Sequence, residues 1–304
     1  MNYQLFCIFA ANMDYSININ GQLMDLSQPR VMGILNVTPD SFYSESRAQT
    51  KDMVVARVRE MLAQGADIID VGACSTRPGS DPASQQEEME RLRMALRTIR
   101  QEIPGVVLSI DTFRPDVAKM AVEEFGADII NDVGYGSASL LGSAKNSQLS
   151  TAHCQLEMFR VVSRLGVPYV LMSRQATLQP MLLEFAERVQ QLRDIGQKDI
   201  ILDPGFGFGK SVEQTSEQGS VVRDTNFEVL SELDRLLVME LPLLVGVSRK
   251  RMVYNTLGTA PAEALNGTSV LNTIALMKGA SILRVHDVRE AVECIKLTTR
   301  LNNV

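Results

Sequence analysis

The chain is short of the residues that mark several protein classes, and each shortage excludes something. Its four cysteines, Cys7, Cys74, Cys154 and Cys294, are scattered over 304 residues. They match no metal-ligand spacing, and reduced thiols in a cytosol are the expectation. Basic residues are outnumbered, 30 Lys and Arg against 36 Asp and Glu, and the net charge of −6 argues against a nucleic-acid partner. Long apolar runs are missing too. Nothing in the chain is long enough to span a membrane, and residues 1–11 lack the preceding basic residue of a signal peptide. No Pro/Ser-rich linker divides the chain. With only two histidines, His153 and His286, few proton-transfer roles can be shared out.

What remains is an ordinary globular composition, 45% hydrophobic and 22% charged, with an unusual punctuation. Eight times a short apolar run stops and enters a loop, at a polar residue or glycine in every case but Met172. Residues 31–35 run into Asn36, 68–71 into Gly72, 106–110 into Asp111, and 128–130 into Asn131. Residues 168–171 then run into Met172, 199–202 into Asp203, 243–247 into Ser248-Arg249-Lys250, and 281–283 into Arg284 and His286. Helical periodicity lies between most of them, cleanest at Met89, Leu92, Leu96, Ile99 and Ile103. Further helices are expected over 51–64, 115–125, 155–165, 180–195, 226–239, 262–278 and 287–301, with a short one after Lys250.

Strands alternating with helices in eight regular units specify a parallel α/β protein, and closure into a (β/α)8 TIM barrel is favoured over an open sheet. Residues 14–26 read as a β-hairpin around Asn20-Gly21, placed to cap the closed end. The expected organisation is an N-terminal extension over 1–13 and one barrel domain over 14–304. Residues 134–151 and 211–225 read as polar surface loops.

In such barrels all strand C-termini share one face, where active sites are built. Asp111, Asn131 and Asp203 end strands there, and a carboxylate or amide can read the donor and acceptor edge of a heterocycle such as a pterin or purine. Any one of them could simply cap a helix; three on one face favour a site. Asn36, Arg77, Arg249, Lys250, Arg284 and His286 form a second set, suited to a diphosphate and its hard cation. His153, in a Ser/Asn-rich stretch, receives no role. The glycine-rich segment Asp203-Pro204-Gly205-Phe206-Gly207-Phe208-Gly209-Lys210-Ser211 fails the P-loop pattern because its first required glycine falls on Pro204. It reads instead as a flexible loop carrying Lys210 over the barrel mouth.

These segments together resemble dihydropteroate synthase. Leu35-Asn36-Val37-Thr38-Pro39-Asp40-Ser41-Phe42 is similar to that family's first signature. Gly65-Ala66-Asp67-Ile68-Ile69-Asp70-Val71-Gly72 with Ser75-Thr76-Arg77-Pro78-Gly79 is similar to its second. Ser109-Ile110-Asp111-Thr112, Ile129-Ile130-Asn131-Asp132-Val133, the loop after Asp203, Gly246-Val247-Ser248-Arg249-Lys250 and Arg284-Val285-His286-Asp287 follow in family order. The resemblance implies condensation of 7,8-dihydropterin-6-ylmethyl pyrophosphate with p-aminobenzoate, with Mg²⁺, in folate synthesis. It implies a pterin site at Asp111, Asn131, Met172, Asp203 and Lys250, and a pyrophosphate site at Asn36, Arg284 and His286, with Asn36 beside the metal. Thr76, Arg77, Pro78, Phe208, Lys210 and Ser248 would surround p-aminobenzoate. Asp111, Asp203, Lys250, Arg284 and His286 would carry the catalysis. A cytoplasmic homodimer, sensitive to sulfonamides, binding small molecules and neither nucleic acid nor membrane, completes the expectation.

Three departures from the family pattern stand out. Cys74 occupies the place of an acidic residue, Met172-Ser173-Arg174-Gln175-Ala176-Thr177 replaces a His-Met-(Lys/Arg)-Gly-Thr-Pro type of sequence, and residues 211–225 carry extra polar residues. They leave two rival functions: a catalytically silent pterin-binding paralogue, and a pterin-dependent methyltransferase of related architecture.

Overall fold

The structure, a computed structural model, describes residues 15–38, 47–74, 83–133, 151–216 and 219–302. A hairpin of β1 (Ser16–Ile19) and β2 (Gln22–Asp25) leads into the first barrel strand, β3 (Arg30–Asn36). There follow α1 (Arg47–Gln64), β4 (Ile68–Gly72), α2 (Gln85–Glu102), β5 (Val107–Asp111), α3 (Pro115–Phe125), β6 (Ile129–Asp132), α4 (Thr151–Leu165), β7 (Tyr169–Met172), α5 (Leu178–Asp194) and β8 (Ile200–Asp203). The second part contains β9 (Ser211–Ser216), β10 (Gly219–Asp224), α6 (Asn226–Ser231), β11 (Leu244–Val245), α7 (Arg251–Leu257), α8 (Leu265–Met277), β12 (Ile282–Val285) and α9 (Val288–Asn302). The eight barrel strands are parallel in the order β11-β12-β3-β4-β5-β6-β7-β8. A bridge between Leu202 and Leu243, with Leu202 N–H donating to Pro242 O at 2.9 Å, joins the two ends of the sheet. The expected TIM barrel is therefore present, with its N-terminal hairpin.

Local sequence explains the helix limits. Ser84 caps α2 through a reciprocal pair with Glu87, and Pro115 opens α3 while Gly126, at φ 62°, ends it in the left-handed region. Outward-facing strand residues such as Leu35, Val71, Ile110, Leu171 and Leu283 merge with the inner faces of the helices into one core. Val288 and Ala291 of α9 belong to that core. The large apolar residues α9 shows to solvent are Leu297 and Leu301, and the neighbouring helix α8 exposes Val270, Ile274 and Met277. No described helix is long and apolar enough to cross a membrane.

Alternation at period two sorts the barrel interior into layers. Met32, Ile68, Ile129, Val170, Ile201, Leu244 and Ile282 form an apolar layer at the strand N-termini, and Ile17, Ile19 and Leu26 of the hairpin pack on it. The hairpin thus plugs the closed end. Two residues further along these strands and their neighbour β5 stand Ile34, Asp70, Ser109, Asn131, Met172, Asp203, Gly246 and Arg284, a polar layer. Two further still stand Asn36, Gly72, Asp111 and His286.

Two expectations need correction. Residues 211–225 are not an irregular loop: β9 and β10 pair antiparallel with Ser211 opposite Asp224. Backbone pairing organises that segment, and its polar composition concealed it. The helix expected over 226–239 breaks after Ser231 and continues as a 3-10 turn over Leu233–Met239, because the chain tightens to bury Leu233, Leu236 and Leu237. Residues 134–150, read as a loop, lie outside the described residues, as does the side chain of His153.

The layering predicts that the hairpin serves stability and not the open face. Ile17, 1% exposed, is its anchor. Ile17→Ala is expected to lower unfolding free energy in urea by about 3 kcal/mol while leaving ligand affinities at the other end unchanged.

Candidate active site

Strand register brings the predicted residues into one row. Asn36 pairs with Gly72, Gly72 with Asp111, Asp111 with Asn131, and Met172 with Asp203. Gly72 keeps the row open: a Cβ there would lie 3.4 Å from Asp111 Cβ and 3.5 Å from Asn36 Oδ1.

Arg284 enters from β12 and is gripped on both sides. Its Nε donates to Asp70 Oδ2 and an Nη donates to Asp111 Oδ2, each at 2.6 Å. Asp70 is fully buried and also accepts from Ser109 Oγ at 2.6 Å and Asn131 Nδ2 at 3.0 Å. Burial by itself would weaken the Arg284 cation, yet Asp70 and Asp111 more than reverse this and hold its pKa above the ordinary arginine value. Burial pushes the Asp111 carboxyl up to about 7 against the pull of Arg284, with Asp70, Glu88 and Asp132 adding to the rise. Asn131 completes the group. Its amide nitrogen is used, but its buried Oδ1 has no hydrogen-bond partner among the described residues. Such an acceptor costs roughly 1–3 kcal/mol unless something donates to it, which suits a ligand N–H.

On the opposite wall Asp203 is buried, and Gly205 N–H donates to its Oδ1 at 2.7 Å. Burial raises its pKa; the Lys250 ammonium opposes the rise. Lys250 Nζ lies 4.8 Å from the centre of the Phe208 ring and donates to Phe206 O. Burial lowers the Lys250 pKa to about 8, partly offset by Asp203. Lys210 is 4% exposed, with Nζ 3.3 Å from Ser173 O and 3.4 Å from Phe208 O. It lies beneath the glycine-rich loop rather than reaching over it. That loop folds tightly because Gly205 and Gly209 take φ of 70° and 63° against the Ser173 and Arg174 carbonyls, where a side chain would collide. Met172 is buried directly under Gly205.

His286 and Asn36 line a cleft of about 420 Å³ with Ile34, Leu35, Met53, Ala56, Arg57 and Glu60. The His286 backbone is clasped from both sides: its N–H donates to Ser248 Oγ at 3.2 Å, and its carbonyl accepts from Arg57 at 3.0 Å. Ser248 thus supports the His286 loop. Arg249 is not a ligand-facing cation. At φ 51° its side chain turns outward onto Asp287, with two 2.8 Å hydrogen bonds, and a third reaches Pro261 O. Thr76, Arg77 and Pro78 lie outside the described residues.

Asp70 is the residue that sequence reasoning passed over. It sits between Ile69 and Val71 in a strand buried throughout, and an acid inside an apolar run is the signal, because such a charge needs partners. Among the described residues no cluster of three or more His, Cys, Asp or Glu could hold a metal. Isolated oxygens at Asn36 and Asp111, flanking Gly72, are what the row offers a hard cation.

Asp70→Asn is expected to leave Arg284 with a single carboxylate and cost about 3 kcal/mol of stability, read as a lowered urea midpoint. An unchanged midpoint would mean that the Asp70 charge does not hold the layer together.

Comparison with known proteins was then decisive. Residues 32–286 match the family model described as pterin binding enzyme. The chain is 36% identical over 277 residues to the dihydropteroate synthase of Clostridium beijerinckii, covering 88% of this chain and 92% of that one. The Xanthomonas albilineans dihydropteroate synthase, solved with 4-aminobenzoic acid, superposes with a TM-score of 0.77 at 30% identity, over 96% of this chain and 99% of that one. The Yersinia pestis dihydropteroate synthase, solved with a sulfonamide drug, gives 0.75 at 32% identity, over 95% and 99%. With the polar barrel layer and its motifs in family order, these matches place the chain in the pterin binding enzyme family, among the dihydropteroate synthases.

Proposed function

We propose that the chain condenses 7,8-dihydropterin-6-ylmethyl pyrophosphate with p-aminobenzoate, forming dihydropteroate and pyrophosphate in folate synthesis. The observation that carries this reading is the buried polar layer, above all Asn131 Oδ1, without a partner among the described residues, between Asp111 and Asp203 on one barrel face. A pterin ring carries N–H donors and ring acceptors on one edge, which the carboxylates, the amide and Lys250 complement.

In this reading Asp111, Asn131, Asp203 and Lys250 hold the pterin, with Met172 below. Departure of pyrophosphate leaves positive charge on the pterin methylene, and the Asp111 and Asp203 carboxylates stabilise it in a site shielded from water. Asn36, Arg284 and His286 take the pyrophosphate. The Asn36 carbonyl oxygen suits Mg²⁺, which keeps few protein ligands and completes its shell with phosphate oxygens and water. Bound there, Mg²⁺ would neutralise charge on the leaving group. The p-aminobenzoate amine attacks the methylene carbon; Thr76, Arg77, Pro78, Phe208, Lys210 and Ser248 position it, so orientation matters more than a strong base.

Exposed Val270, Ile274 and Met277 on α8 and Leu297 and Leu301 on the neighbouring α9 support pairing of two copies through these outer helices. A cytoplasmic enzyme is part of the same reading.

Both substrates incubated with and without Mg²⁺ test the activity. Dihydropteroate detected by mass, with equal pyrophosphate, is expected only with metal and both substrates; tight binding of the pterin substrate without product would instead identify a silent paralogue. Asp203→Asn is expected to lower kcat/KM by roughly 100-fold, the scale of one lost electrostatic contact to a transition state; unchanged kinetics would remove Asp203 from the site. Sulfonamides are expected to compete with p-aminobenzoate, so that raising p-aminobenzoate restores the rate. Inhibition that persists at saturating p-aminobenzoate would place the drug elsewhere.

A further inference from the structure

Where this chain departs from the family pattern after β7, Ser173 ties four elements together. Its N–H donates to Asp203 O on β8 at 2.9 Å, and its carbonyl accepts from Lys210 Nζ at 3.3 Å. Its hydroxyl accepts from Gln175 N–H at 3.2 Å and donates to Glu184 Oε2 on α5. Glu184 appears in none of the motifs, yet it stands directly behind the residue on which Lys210 rests.

The geometry points to Glu184 as a positioning residue: through Ser173 its carboxylate keeps the buried Lys210 ammonium charged and in place at the wall that receives p-aminobenzoate. This inference rests on the function proposed above. A lysine that is 4% exposed needs compensating negative charge. The charges that act on Lys210 are Asp203 and Glu184, which favour its cation, and Lys250 and Arg174, which oppose it. Glu184 in turn faces Lys210 from the β8 loop, and Arg188 and Glu187 from its own helix. With two cations opposing, Asp203 is not enough by itself, since it also faces Lys250 and Arg284.

Titration follows from the same burial. Desolvation pushes the Glu184 carboxyl up to about 7, with Arg188 and Lys210 opposing, and pushes the Lys210 ammonium down to about 8, with Asp203 and Glu184 opposing. Both groups are charged between those values. Below the window Glu184 takes up a proton and its hold on Lys210 weakens; above it Lys210 loses its own. Removing the carboxylate charge therefore moves the Lys210 titration to lower pH.

Glu184→Gln tests this, because glutamine keeps an acceptor for the Ser173 hydroxyl and removes only the charge. The Lys210 titration is followed by NMR of protein labelled with ¹³C,¹⁵N-lysine, its resonance assigned by loss in Lys210→Arg. The midpoint is expected to fall by about half a pH unit or more in Glu184→Gln. At about pH 8.5 the KM for p-aminobenzoate is expected to rise roughly threefold, with kcat changed less than about twofold, because fewer molecules carry a charged Lys210. In the Lys210→Arg background the same glutamine substitution is expected to leave the pH dependence of KM unmoved, since arginine stays charged. An unmoved Lys210 midpoint, or an equal KM change in the arginine background, would overturn the role of Glu184. The NMR titration needs no turnover, so a chain without synthase activity would fail the proposed function while the titration still decides the inference.

Discussion

Arg284 inside the barrel is the constraint on which the mouth depends. A guanidinium taken from water costs several kcal/mol unless charge and hydrogen bonds meet it from well-placed partners. Here Asp70 from β4 and Asp111 from β5 meet it, and Asp70 is itself held by Ser109 and by Asn131 from β6. Four strands, β12, β4, β5 and β6, are therefore fixed relative to one another by a single polar cluster. The cluster also sets the electrostatics of the site, because it holds Asp111 beside a cation and turns Asn131 so that its oxygen meets no donor among the described residues.

The barrel separates stability from chemistry along its axis. At the closed end, apolar side chains from seven strands stack beneath the hairpin. One layer higher, the same alternation delivers carboxylates, an amide and a guanidinium. Across the mouth, Lys250 and Lys210 face Asp203 under a loop that glycines allow to fold flat against the β7 loop. Three carboxylates, Asp70, Asp111 and Asp203, thus stand against three cations, Arg284, Lys250 and Lys210, around the mouth. A substrate that is a flat heterocycle at one end and a diphosphate at the other fits the function proposed for this division.

Departures from the family pattern after β7 are absorbed by this arrangement. Ser173 makes backbone contacts to β8 and Lys210 that do not depend on its side chain, while its small hydroxyl admits Glu184 from behind. The segment after Lys210 pairs with itself as β9 and β10, and Thr225 N–H returns to Lys210 O at 3.1 Å. The added residues therefore extend from the loop without unravelling it.

Amino-acid order alone determined the barrel, its strand ends and most of the polar set, because a period-two pattern inside short apolar runs leaves a chain few ways to bury them. Asp111, Asn131, Asp203 and Arg284 were legible for that reason, each following directly on an apolar run, and Lys250 stands three residues past one. Pairing was not legible. Arg249 and Lys250 are neighbours in sequence, yet a left-handed turn at Arg249 sends one to Asp287 and the other into the mouth. Asp70 gained its meaning only from residues far away in the chain, 214 positions separating it from Arg284, and Glu184 gained its own only once the β7 loop and α5 were packed together. Which charges meet inside a closed barrel is fixed by strand register and curvature, and those exist only once the chain has folded.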